Sequence, residues 1–308
     1  MRSKVTPTTI ILLLAPILTI LYFLEIWIGL ALFLVSSAVI IYLFAEKEEE
    51  GVTFILFSIF GLLLIIFVLL PISELIYAAL PDLDRALHDP EAVNSILLSL
   101  SAALVATLIG LFFGIPLSYV LARKDFPGKS FVEGIIDLPM VVPHTVAGIA
   151  LLVVFGRHGS LGEPLDAVGI NFIDAFPGIV VAMLFVSIPF IVNQVREGFE
   201  DVDPRLELVA MSLGADRKKA FFTVSLPLIK RNIVSGGLMA WARAISEFGA
   251  VVLIAYFPMT APVYIYEIFL QKGLFAARPI AALLLLITLT IFIALRTITG
   301  RFSLYDKD

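Results

Sequence analysis

The chain has no cysteine and little charge, and both features narrow what it can be. It has 308 residues, of which 15% are charged and 60% hydrophobic, whereas a soluble domain is about 25% charged. The lack of cysteine excludes disulfides, thiolate nucleophiles and cysteine-ligated metal. The three histidines, His88, His144 and His158, are widely spaced and indicate no metal site, and we expect no cofactor. No basic stripe interleaved with aromatics supports nucleic-acid binding. The composition is that of an integral membrane protein.

Long hydrophobic runs dominate what is present. A helix that rises 1.5 Å per residue needs about 20 residues to cross about 30 Å of hydrocarbon. Eight runs of about that length cover residues 8–24, 27–45, 52–76, 92–121, 134–155, 175–195, 232–256 and 279–298. A membrane-spanning barrel would show short alternating strands instead. The predicted fold class is therefore an all-α membrane protein embedded in the lipid bilayer.

Lysine and arginine are distributed unevenly between the predicted loops. With the N-terminus inside, sixteen of the 21 basic residues lie in cytoplasmic segments and four in outer segments. Because cytoplasmic loops carry the excess of basic residues, we expect a multi-pass protein of the cytoplasmic membrane with cytoplasmic N- and C-termini. The longest cytoplasmic segment is then 196–231, between the sixth and seventh spans.

The segment 196–231 is predicted to form two short helices around a glycine. Asp203 followed by Pro204 is typical of a helix start. Gly214 ends this first helix, and Asp216 begins a second one, which ends at Leu226-Pro227 and leads to the next span. Apolar residues recur at helical spacing on one side of the first helix: Leu206, Val209, Ala210 and Leu213.

This segment resembles the EAA loop of the permease subunits of binding-protein-dependent ABC importers. The pattern reads Glu-Ala-Ala, three residues, Gly, nine residues, Ile, one residue, Leu-Pro. Leu208 stands in place of the pattern's Glu, and Glu207 lies one position earlier. Residues that fall on the register are Ala210, Gly214, Val224, Leu226 and Pro227. The resemblance implies docking of an ATPase through Glu207, Val209, Ala210, Leu213, Gly214, Ala215, Asp216, Arg217, Leu226 and Pro227.

Two further stretches, Ala122–Gly156 and Trp241–Tyr256, are similar to the permeases of molybdate and tungstate importers, with sulfate permeases close behind. The resemblance covers about residues 52–300. It implies the transmembrane domain of a type I ABC importer over residues 51–308, with core spans within 92–298. An extra N-terminal hairpin of two helices would occupy residues 1–50. The implied partners are a second copy of the chain, two cytoplasmic ATPase subunits and an external substrate-binding protein.

The stretch Phe126-Pro127-Gly128-Lys129-Ser130 looks at first like a phosphate-binding loop. A P-loop needs a glycine five residues before its last glycine, and that position is Arg123. No predicted strand precedes it. We therefore expect that this chain is no enzyme and that a separate subunit hydrolyses ATP.

Polar and proline residues inside the spans are candidates for the translocation path, although each also has a purely structural interpretation. Prolines kink helices, or mark broken helices that flex during gating. Arg243 and Glu247 are four residues apart and share a helix face. They form either a structural ion pair, which we favour, or a site where Arg243 attracts an oxyanion. The candidate residues are Pro139, Pro143, His144, Thr145, Arg243, Ser246 and Glu247.

The favoured function is import of an oxyanion, molybdate or tungstate, and two other interpretations remain open. A sulfate or thiosulfate permease belongs to the same superfamily. A secondary transporter would need ion-coupling carboxylates in its spans, and the acids near the membrane are few: Glu74, Glu133, Asp137 and Glu247. A membrane scaffold protein would not need the register of the EAA loop.

Overall fold

The computed structural model describes residues 51–301, and the predicted hairpin over residues 1–50 lies outside them. The described residues contain helices and no strand, as the sequence predicts. The chain divides into two compact units, with the boundary after Pro81. In order, the helices are α1 Gly51–Ala79, a 3-10 turn Leu80–Asp82, α2 Leu83–Leu87, α3 Pro90–Arg123, α4 Lys129–Val141, α5 His144–Phe155, α6 Gly162–Asp166, α7 Phe176–Asp201, α8 Arg205–Ser212, α9 Arg217–Ala220, a π-helix Phe221–Ser225, α10 Leu226–Leu228, α11 Lys230–Ile245, α12 Val251–Ile254, α13 Ala261–Lys272 and α14 Leu274–Arg301.

The second unit is built around α3, α7 and α11, which pack against one another more extensively than the other described helices do. The buried side of α3 is lined by small residues, among them Ala102, Ala106, Gly110 and Gly114. A Cβ atom at Gly110 would lie 2.6 Å from Ile191 Cδ1 of α7. Small side chains let helix backbones approach closely in a membrane, where van der Waals packing rather than escape from water holds helices together.

Two predicted spans are broken, one at a proline that the sequence offers as a possible break and one without such a signal. The predicted span 134–155 consists of α4 and α5, which meet at 113°. Val142 and Pro143 between them have extended backbone, because proline lacks an N–H and disfavours helical geometry in the residue before it. The predicted span 232–256 ends as α11 at Ile245 and resumes only as the short α12.

The other predicted core spans are intact helices, and one helix was missed. In the described part of the chain, four helical stretches are long and apolar enough to cross a membrane, or five if α4 and α5 count as one bent span. Helix α13 lies in a region predicted as an outer loop. Its 12 residues are too few to cross a bilayer. A helix this short does not produce the long apolar run by which spans are predicted.

Candidate coupling segment and pathway residues

The segment between α7 and α11 contains the predicted helix, glycine bend and helix. At the start of α8, Asp203 Oδ1 accepts a hydrogen bond from the Arg205 backbone N–H at 2.8 Å. Gly214 has a φ of 93°, in the left-handed region that favours glycine. Asp216 then caps α9, since its Oδ1 accepts from the Lys219 backbone N–H at 2.7 Å.

The second half of this segment differs from the prediction. Leu226-Pro227 does not end the helical element but lies inside it, because α9 continues through the π-helix and α10 to Leu228. The ring of Pro227 crowds the carbonyl of Thr223, four residues earlier, and this accounts for the widened turn before it. Ile229, with φ −97° and ψ 10°, then separates the segment from α11.

The apolar side of α8 faces outward. None of its eight residues is buried, and Leu206, Leu208 and Val209 are all exposed. Leu213, directly after α8, is 84% exposed. Exposed leucines are ordinary on a lipid-facing span, whereas this cluster lies on a segment between two long helices.

Glu207 points the other way and joins three parts of the second unit. Its Oε2 accepts a hydrogen bond from the Tyr119 hydroxyl at 2.7 Å. Its Oε1 accepts from Arg123 Nε at 2.9 Å and from the Ser225 hydroxyl at 2.8 Å. Tyr119 and Arg123 belong to α3 and Ser225 to the π-helix, so one carboxylate holds α8 against both.

The same cluster reaches α7. Arg123 Nη1 donates to the Phe199 carbonyl near the end of α7 at 2.7 Å. The Tyr119 ring packs edge-on against Phe199 and Phe221, with ring centroids 5.2 and 4.9 Å away. The side chains of Arg123 and Glu207 are only 9% and 14% exposed. This combination of charge pairing and aromatic packing fixes α8 to the C-terminal ends of two long helices, α3 and α7.

The environment of Glu207 favours its charged form. Burial alone would raise the pKa of Glu207, but hydrogen bonds from Tyr119, Ser225 and Arg123 outweigh burial and hold the pKa below its ordinary value. The carboxylate is therefore ionised at neutral pH and forms a charge-assisted pair with Arg123.

A second polar cluster lies where the two broken spans meet. Glu247, which is 1% exposed at its side chain, accepts from Arg243 Nη2 at 2.8 Å and from the Ala250 backbone N–H at 2.8 Å. The ring of His144, at the start of α5, is 2.9 Å from Arg243 Nη2 through Nε2. A cavity of about 430 Å³ lies here, lined by His144, Arg243, Ser246, Glu247, Phe248 and Gly249.

The structure thus brings four of the seven predicted pathway residues together: His144, Arg243, Ser246 and Glu247. Thr145 follows His144, and a Cβ atom on Gly249 would lie 3.4 Å from its backbone nitrogen. Pro143 precedes α5 at the break, whereas Pro139 is buried within α4. Among the described residues, no group of three or more histidine or acidic side chains is arranged to hold a metal.

Sequence reasoning missed Tyr119, Arg123 and Ser225, the partners of Glu207. Arg123 and Tyr119 lie more than 80 residues from Glu207 in the chain. The only available signal was a basic residue at the predicted cytoplasmic end of an apolar span, which the positive-inside tendency already explains.

A bundle of apolar helices with two broken spans and an exposed amphipathic segment between two of them is the architecture of a multi-pass membrane protein. The chain belongs to the family described as the binding-protein-dependent transport system inner membrane component, which its residues 114–303 match. The predicted membership of the ABC importer permeases is confirmed.

Individual relatives and a solved structure refine this membership. The chain is 49% identical over 248 residues to a molybdate/tungstate transport system permease protein of Pyrococcus furiosus, covering 80% of this chain and 94% of the relative. It is 35% identical over 247 residues to a probable sulfate transport system permease protein of Chlorokybus atmophyticus, covering 78% and 86%. A crystal structure of a bacterial alginate-importing ABC transporter matches with a TM-score of 0.66 at 17% identity, covering 84% of this chain and 99% of that one. This last similarity concerns the fold and confirms the predicted fold class.

Proposed function

We propose that the chain is the membrane-spanning subunit of an ATP-driven importer that carries molybdate or tungstate across the cytoplasmic membrane. The relative named for molybdate and tungstate is 49% identical to this chain, while the one named for sulfate is 35% identical. Sulfate therefore remains the second candidate substrate. By the same proposal both termini are cytoplasmic, two copies of the chain form the pathway, and an external binding protein delivers the anion.

The observation that carries the ATP-driven part of this proposal is the exposed apolar side of α8. An apolar surface outside the bilayer is stabilised when a partner covers it. The partner we propose is a cytoplasmic ATPase subunit, because the segment lies on the side rich in basic residues and this chain lacks a P-loop. Residues Val209, Leu213 and Gly214 would contact the ATPase directly.

If a distant ATPase is to drive transport, the permease needs a rigid element that moves as one piece. It also needs a helix bundle that can adopt two alternative packings. Helix α8, the Gly214 bend and α9 form that element. Closure of the ATPase pair on ATP would bring the two segments of the dimer together and open the bundle outward.

The pathway itself is proposed to pass the cavity between the two broken spans. Arg243 and His144 offer N–H groups there, and Ser246 offers a hydroxyl, which are the groups that hold tetrahedral oxyanions. Pro143 and Thr145 shape the break beside it. Two of the acids considered for a secondary transporter accept hydrogen bonds from neighbouring side chains instead of being available to couple an ion. Asp137 accepts from Asn193 at 2.7 Å, and Glu133 accepts from Arg196 at 2.6 Å.

The docking proposal is tested by Leu213→Asp. A carboxylate at this exposed position leaves the fold of the chain intact but opposes burial against a partner, so co-purification of the ATPase subunit with the chain should be lost. The control is Val168→Asp, which places the same acid at an exposed apolar position in the predicted outer loop and should retain the ATPase. Normal co-purification of Leu213→Asp would contradict the docking assignment.

A further inference from the structure

The Glu207 cluster lies behind the docking surface rather than on it. Glu207 is 14% exposed at its side chain, and its oxygens accept three hydrogen bonds from this chain's own residues. The exposed residues of α8 include the apolar Leu206, Leu208 and Val209. Because the Glu207 carboxylate already accepts three hydrogen bonds within this chain, it is poorly placed to bind a partner subunit. Its role therefore differs from that of Val209 or Leu213.

The cluster connects α8 to helices that are themselves packed together. Through Arg123, Glu207 is fixed to the end of α3 and, by the Phe199 carbonyl, to the end of α7. Both helices belong to the central packing of the second unit. Through Ser225, the same carboxylate is fixed to the π-helix on the far side of the Gly214 bend.

The position of the cluster matters because burial of side chains contributes little to holding α8 in place. None of its residues is buried, and the bend after it is a single left-handed glycine with no atom within 4 Å of where a Cβ would be. Without the carboxylate, α8 would be held by its chain connections and by partly buried contacts only. A pull applied to α8 would then be absorbed by local bending instead of moving α3 and α7.

We propose that Glu207 is the positioning residue that transmits motion from the coupling helix α8 to the spans α3 and α7, with Arg123 and Tyr119 as its anchors. This inference rests on the proposed function for the source of the motion, namely an ATPase bound to α8. It assigns Glu207 a role distinct from docking: the ATPase binds without it, but ATP hydrolysis no longer moves the bundle.

The test is Glu207→Gln in the complete transporter in liposomes, with anion uptake and ATP hydrolysis measured on the same sample. Glutamine keeps the shape and the acceptor oxygen but removes the charge that Arg123 requires. We expect the ATPase to co-purify normally and the anion taken up per ATP to fall by about tenfold, the size of a typical coupling between sites. The control Glu200→Gln removes an exposed acid near the same end of α7 and should leave this ratio unchanged.

Two results would overturn the proposal. An unchanged ratio of uptake to hydrolysis in Glu207→Gln would show that transmission does not need the carboxylate. Loss of the ATPase from the variant would show that Glu207 merely maintains the docking surface. If Glu207→Gln does not fold, Tyr119→Phe removes only the hydroxyl that donates to Oε2, and the ratio should still fall; an unchanged ratio there would equally contradict the proposal.

A measurement without transport separates this proposal from the proposed function. Backbone hydrogen exchange over residues 206–212 should be faster in Glu207→Gln than in the parent chain, because α8 loses its attachment. If the parent complex imports no oxyanion, the proposed function is wrong, while the exchange difference still reports on the attachment. Equal exchange in both chains would contradict the attachment itself.

Discussion

At the scale of single residues, the structure shows how an acid is kept among the helices of a membrane protein. Glu247 is buried, yet both of its oxygens have donors, Arg243 Nη2 and the Ala250 backbone N–H. A charge without a partner near the bilayer centre costs about 2.5 to 3.5 kcal/mol on insertion scales. The ion pair explains why Glu247 is tolerated, and the proposed function gives Arg243 a second role, contact with the transported anion.

A pair of variants separates these two roles of Arg243. If Arg243 lines the oxyanion path, Arg243→Gln lowers oxyanion uptake by about tenfold, the cost of losing one charged hydrogen-bond donor, and the double variant Arg243→Gln, Glu247→Gln stays low. Uptake is measured in liposomes at matched amounts of folded protein. Arg85→Gln, at an exposed arginine, is the control. Recovery of uptake in the double variant would contradict the path role and identify a purely structural pair.

Among single residues, the sequence predicts well those features that are determined by local backbone chemistry. Gly214 was predicted as a bend and Asp216 as a helix start, and both follow from local preferences for left-handed glycine and for N-cap carboxylates. The partners of Glu207 were not predictable, because hydrogen bonds over more than 80 residues depend on how α3, α7 and α8 pack.

At the scale of elements, the two helix breaks are the features that shape the candidate site. They lie against each other with little room: a Cβ on Gly148 of α5 would be 3.0 Å from the Ala250 Cα, and one on Gly249 would be 2.7 Å from the His144 Cβ. Glycines at these positions let two irregular backbone segments approach closely, and the buried Glu247 satisfies a backbone N–H that the interrupted helix exposes.

Gly249→Ala should therefore destabilise the protein. The added methyl group would overlap the His144 side chain, and overpacking of this kind costs about 1 to 3 kcal/mol. The free energy of unfolding, measured by denaturation in detergent, should fall by that amount. The control is Gly134→Ala in α4, where no atom lies within 4 Å of the new methyl group and alanine favours the helix by about 0.5 to 1 kcal/mol. Equal stability of Gly249→Ala and the parent would contradict the close packing of the two breaks.

The elements also show where sequence reasoning fails. Intact spans such as α3, α7 and α14 were predicted because hydrophobic length alone determines them. The break at Pro143 has a local cause that the sequence displays. The break after Ile245 has no such cause, since no proline or run of glycines marks it. At this break Glu247 contacts His144 of the other broken span and accepts a hydrogen bond from the Ala250 backbone N–H three residues later.

At the scale of the whole molecule, two surfaces of one permease have to work together. By the proposed function, the exposed apolar helix α8 receives force from an ATPase, and the polar cavity between the broken spans passes an anion. The central packing of α3, α7 and α11 lies between the elements that carry them. A chain of this family without a P-loop needs both surfaces, because energy and substrate arrive from different partners.

The central claim is that this chain, with an ATPase docked on α8, imports an oxyanion. The most direct measurement is the ATPase activity of the chain reconstituted with its ATPase and binding protein, during separate titrations with molybdate, tungstate and sulfate. The account predicts that molybdate or tungstate stimulates hydrolysis more strongly than sulfate does, and that Leu213→Asp abolishes the stimulation. Hydrolysis that responds to none of the three anions, or that responds equally in Leu213→Asp, would contradict it.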